Sequence, residues 1–139
     1  MFTYLAFLVA LYIILNIYIL YHKPGFTLNK DYYPQDVRCI DEALREYGHH
    51  GIAQFWDANF ISILSKENVQ IVPVNIYLTP FYWAVNVRKF ENPISFIVFD
   101  NDGKTLNKDL INKKFGNPKK EIICYTRTIL IYKKDSLKL

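Results

Sequence analysis

A chain of 139 residues with 51% apolar side chains leaves room for one folded domain, large enough to hold a core without disulfides or a metal. The net charge is +4, and the lysines crowd toward the C-terminal end at positions 113, 114, 119, 120, 133, 134 and 138. That pattern reads as a solvated basic face able to meet anionic headgroups, and a membrane tether argues against nucleic acid as the partner.

Residues 2–21 contain no charge, Pro or Gly. At about 1.5 Å per residue they reach about 30 Å as a helix, the thickness of a bilayer's hydrocarbon core. Lipid offers the backbone no partners, so this run is expected to be helical throughout. Tyr4, Tyr18 and Tyr21 fall near its ends, where amphipathic rings suit the headgroup zone. Asn16 either faces a partner helix or is tolerated near an end. No basic residue precedes the run and no small-residue cleavage site follows it, so it reads as an uncleaved single-pass anchor and not a signal peptide. Lys23, Lys30 and Arg38 follow the helix, which by the positive-inside rule alone places the remainder in the cytoplasm.

Residues 22–36 are expected to be a connector, broken by Pro24, Gly25 and Pro34. Val37, Ile40, Leu44 and Tyr47 recur at helical spacing, with Asp36 as the expected cap and Gly48 as the stop. A short extended piece is expected over 52–55. Asp57 is expected to cap a second helix to about Ser65, with Phe60, Ile61 and Leu64 inward. Residues 69–74 predict a strand whose Pro73 marks an edge or an end. Residues 94–99, apolar almost throughout, predict a strand covered on both faces. Asn101-Asp102-Gly103 predicts a turn, and Thr105 is the expected cap of a third helix that ends at Gly116. Residues 121–125 and 128–132 predict two strands in a hairpin, or one long bent strand. The alternation gives an α/β fold class: one N-terminal transmembrane helix (1–21), the connector, and a small mixed α/β layered domain over 37–139.

No assembled catalytic site, metal set or cofactor motif emerges. His49 and His50 are adjacent, so on a strand they would point to opposite faces, and no further ligand lies at metal spacing. Asp100-Asn101-Asp102 imitates the D-x-D of some glycosyltransferases, but the chain is too short for their nucleotide-binding domain, and Asn-Asp-Gly is what a tight turn requires. Ser62, Ser65 and Thr79 lack a nucleophile-elbow context, and the five glycines are scattered singly. Cys39 and Cys124 can bond if they meet in an oxidising compartment, and otherwise are buried thiols. The binding candidates are Trp56, Asp57, Tyr82 and Trp83, in the stretches 54–57 and 80–83. Flat aromatic faces beside a carboxylate suit a sugar, but equally a small core or a membrane-interface belt.

Taken in order, these stretches carry a resemblance. Tyr47-Gly48, residues 50–58, Leu64-Ser65, 69–74, 80–83, 94–98, Phe115-Gly116-Asn117-Pro118 and 129–132 are similar to the C-terminal region of bacterial multi-helix membrane proteins of the dolichyl-phosphate-mannose mannosyltransferase and aminoarabinose transferase group. There a last transmembrane helix is followed by a small extracytoplasmic domain. The resemblance implies an extracytoplasmic soluble part, against the charge rule. It also implies a non-catalytic, membrane-anchored domain that assists lipid-linked sugar or glycan transfer by binding a sugar or a multi-helix partner. Catalysis in that group lies on an early loop this chain lacks, so no catalytic residue carries over. The alternative is a single-pass interaction protein that docks onto another membrane complex without sugar chemistry.

Overall fold

The uncharged N-terminal run forms α1, Phe2–His22, long and apolar enough to cross a bilayer over Tyr4–His22. Asn16 donates its amide to the Tyr12 carbonyl at 2.8 Å, so its donor is satisfied within the helix. The computed structural model describes residues 2–22, 31–84, 93–103, 106–133, 137 and 139. The chain divides into two units, Met1–Tyr32 and Tyr33–Leu139.

The second unit is built on a five-stranded sheet: β1 (His50–Gln54), β2 (Gln70–Val74), β3 (Phe96–Asp100), β4 (Lys120–Cys124) and β5 (Arg127–Ile131), in the order β2-β1-β3-β5-β4. β1 pairs in parallel with β2 and β3, and β5 runs antiparallel to both β3 and β4. Helices α2 (Gln35–Leu44) and α3 (Phe55–Leu64) cover one face, where Val37, Ile40, Leu44, Ala58 and Ile61 meet Ala53, Phe96, Val98, Ile129 and Ile131. Helix α4 (Lys108–Phe115) lies on the other, where Leu106 and Ile111 meet Ile52, Ile97, Phe99 and Leu130. β3 is thus buried on both faces, as its unbroken apolar run requires. The Phe96 ring lies across Gly51, its register partner, where an added Cβ would fall 2.1 Å from the ring. Only glycine fits there.

Several expectations hold. Pro73 lies in edge strand β2, where its missing N–H costs no ladder bond. Gly103 takes a positive φ of 69° in the turn after β3, and Gly116, at 79°, ends α4. The two late strands form a hairpin, turned at Tyr125-Thr126 with Tyr125 at φ 57°. The helix starts differ. α2 begins at Gln35 after Pro34, and α3 at Phe55 with the Gln54 side chain accepting from the Trp56 N–H at 2.9 Å. Asp36 and Asp57 therefore sit inside first turns and not at the cap positions, although the Asp36 carboxylate still accepts from the Val37 N–H at 2.8 Å. α4 is capped by Asn107, and the expected cap Thr105 lies outside the described residues.

Cys39 on α2 and Cys124 on β4 form a disulfide with Cα atoms 5.6 Å apart, closing a span of 85 residues. α2 is also held at Asp41, which accepts from the Tyr33 hydroxyl and the Ser65 hydroxyl, both at 2.6 Å, and from the Lys66 N–H at 2.8 Å. Burial and the bond to Asp41 push the Tyr33 phenol up to about 12.

Candidate functional site

Strand order decides where a ligand can enter. The β1–α3–β2 crossover leaves β1 on one side, and the chain then returns past β1 to β3 on its other side. Such a reversal opens a crevice beyond the C-terminal ends of the parallel strands. Gln54 pairs with Val74, so the segments leaving β1 and β2 emerge at the same edge. The stretches 54–57 and 80–83 both belong to this edge.

The structure brings their rings together. Phe55 stacks on Trp83 with centroids 6.1 Å apart and meets Trp56 and Phe81 edge-on at 5.1 and 5.5 Å. Phe81 in turn meets Trp83 edge-on at 6.0 Å. Offset and edge-on arrangements of this kind are the favourable ones. Trp56 is 74% exposed and Trp83 81%, and Tyr82 is exposed as well. The core reading of these residues is therefore excluded: Phe55 and Phe81 support a platform whose outer faces are two indoles.

Asp57 separates from the other three candidates. It is 5% exposed and pairs through Oδ1 with Arg127, at 2.8 Å from Nη2 and 3.1 Å from Nε. Arg127 also pairs with Asp36, approaches Asp100 at 3.7 Å, and lies over the Phe60 ring. One guanidinium faces three carboxylates, which leaves negative charge uncompensated. Burial, followed by the charges of Asp100 and Asp102, pushes the Asp57 carboxyl up to about 6. Its Oδ2 is buried without a hydrogen-bond partner among the described residues. Asp100 is raised too, by burial and then by Asp102. The network is structural in placement: it ties the first turns of α2 and α3 to the end of β3 and the start of β5.

Beside it, Asp100, Asn101, Asp102, Tyr125 and Thr126 line an open cleft of 480 Å³. The Asn101 amide donates to the Tyr125 carbonyl at 3.1 Å, and its oxygen accepts from Thr128, so the turn is fastened to the β4–β5 hairpin. Among the described residues no three His, Cys, Asp or Glu side chains converge as metal donors.

Arg127 is the participant the sequence reading passed over, whereas Asp36 was read only as a cap and Phe55 and Phe81 only as members of their aromatic stretches. The signal for Arg127 was present: it is a lone charge opening an otherwise uncharged strand. Its partners, 70 and 91 residues away, left no local trace. Comparison with protein-family models, with curated proteins and with solved structures finds no match to this chain.

Proposed function

We propose that the chain is a membrane-anchored domain, not catalytic by itself, that assists lipid-linked sugar or glycan transfer by binding the saccharide at its aromatic edge. The observation that carries this reading is the pair of exposed indoles, Trp56 and Trp83, backed by Phe55 and Phe81. Rigid aromatic faces pack the apolar side of a pyranose with little loss of side-chain entropy. The length and hydropathy of α1 support the anchor. The resemblance to the last helix and extracytoplasmic domain of the mannosyltransferase and aminoarabinose transferase group supports the sugar context. The Cys39–Cys124 bridge supports an extracytoplasmic side, because disulfides persist in oxidising compartments.

The test uses the full chain in detergent micelles. Trp56 and Trp83 are the only tryptophans, so intrinsic fluorescence reads this edge alone. Titration with methyl α-mannoside and with polyprenyl-phosphate mannose is expected to give a saturable change for at least one of them. The change is expected to disappear in Trp83→Ala. No response to either, together with stable co-purification of a membrane complex, would favour the docking reading instead.

A further inference from the structure

The aromatic edge carries more apolar surface than a sugar platform explains. After β2 the chain makes a tight turn with Ile76 and Tyr77 at its tip, 52% and 72% exposed. The turn is fully built without them. The Asn75 side chain accepts from the N–H groups of Tyr77 and Thr79 at 2.9 and 3.0 Å, and the Asn75 N–H donates to the Thr79 carbonyl at 3.0 Å. Leu78 adopts a positive φ of 59° and sinks its side chain completely into the core. Lys114 donates to the Leu78 carbonyl at 2.8 Å. Nothing in this scaffold requires Ile and Tyr at the tip, where polar residues are the norm. They are held out by a turn that is itself anchored.

The turn springs from the same end of the sheet as the indoles: Val74 bridges Pro80, the Phe81 N–H donates to the Pro73 carbonyl at 3.1 Å, and Phe81 packs against Phe55 and Trp83. Trp56, Ile76, Tyr77, Tyr82 and Trp83 are all exposed and uncharged, and together they make the rim of this end of the sheet. Exposed apolar side chains gathered at one edge mark an interaction surface. Its composition, Trp and Tyr with an aliphatic tip, is that of residues favoured at the boundary between headgroups and acyl chains. The anchor reading then supplies the partner. Ten residues, 23–32, join α1 to the second unit, and a chain of that length spans at most about 35 Å. A bilayer is thus always within reach, at a high effective concentration and with no association entropy to overcome for a second molecule.

We infer that the rim formed by Trp56, Ile76, Tyr77, Tyr82 and Trp83 inserts into the headgroup zone of the bilayer that the chain spans. The inference rests on the anchored half of the proposed function, and it selects membrane-bound saccharides over free ones as the ligands the indoles can meet. The rim bears no charge, so insertion is expected into zwitterionic lipid and with little dependence on salt.

The experiment reconstitutes the full chain into phosphatidylcholine vesicles, without sugar or partner, using lipid brominated on the upper acyl carbons. The expected result is loss of roughly half of the tryptophan emission to the brominated lipid, with protection from aqueous iodide on the domain's side. Ile76→Ser/Tyr77→Ser keeps both indoles and the Asn75–Leu78 scaffold, and is expected to shift emission to the red and restore iodide quenching. Vesicle-bound chain whose indoles ignore the brominated lipid overturns the inference while leaving the anchor intact. Chain that fails to float with the vesicles overturns the anchor reading and the inference with it.

Discussion

Two buried carboxylates a short distance apart in sequence are handled in opposite ways. Asp41, 1% exposed, is surrounded by neutral donors: two hydroxyls and a backbone N–H, shared between both oxygens. Asp57 gives one oxygen to Arg127, which it shares with Asp36 and Asp100, and leaves the other with no hydrogen-bond partner among the described residues. The first arrangement spreads one charge over fixed dipoles. The second sets several like charges around a single cation, so the stability of each member depends on all the others. The difference is between a fastening and a balance, and the balance is the more breakable of the two.

Removing the shared cation gives the largest expected effect. Arg127→Met retains volume but leaves Asp36, Asp57 and Asp100 facing each other in a partly buried space. A loss of about 3–5 kcal/mol is expected, the range for breaking a buried ion pair from one side. Urea unfolding of the detergent-solubilised chain, followed by circular dichroism, measures it. A loss below that of Asp41→Asn would reverse the comparison.

Next comes pH. The folded-state value of Asp57 lies above its ordinary 3.8, near 6, so the folded chain binds the extra proton first. Stability therefore falls as pH rises through the window from about 4 to about 6, and is recovered on acidification until other carboxylates are protonated. The shift corresponds to an effect on the order of 2–3 kcal/mol. Unfolding at pH 5 and pH 7.5 is expected to show greater stability at the lower value. Asp57→Asn is expected to flatten that difference, and a slope unchanged in the variant would assign it to another group.

The smallest effect belongs to the neutral site. Asp41→Asn keeps one acceptor and turns an NH₂ toward a donor, which costs about 1–2 kcal/mol. It is expected to leave the pH slope between 5 and 7.5 untouched, since Asp57 and its neighbours stay in place. The same unfolding series reads both points.

These two carboxylates also show how far a sequence can be read. Strand β3 was legible because an unbroken apolar run has only one comfortable place, the middle of a covered sheet. The turn at Asn101–Gly103 and the stop at Gly116 were legible because a positive φ selects glycine. The starts of α2 and α3 were misplaced because Asp36 and Asp57 are good caps by residue type. Both carboxylates are engaged by an arginine on the last strand, a contact between residues far apart in sequence, and only Asp36 also accepts a first-turn N–H, that of Val37. For Trp56 and Trp83 the sequence left sugar face, core and membrane belt open, for a different reason. An aromatic cluster has the same spelling whether it faces the core or water, and only the strand order sent these rings to an open edge.

The disulfide has a mechanical consequence. It joins α2, which follows the connector, to β4, the edge strand farthest from β2. Any tension applied through α1 enters at α2 and crosses directly to Cys124 through the covalent bridge. The residues between the two cysteines, which include α3, β1, β2, β3 and α4, lie off that load path. A pull between α1 and the C-terminal end bears first on the chain outside the bridge, which includes β5 and its Arg127.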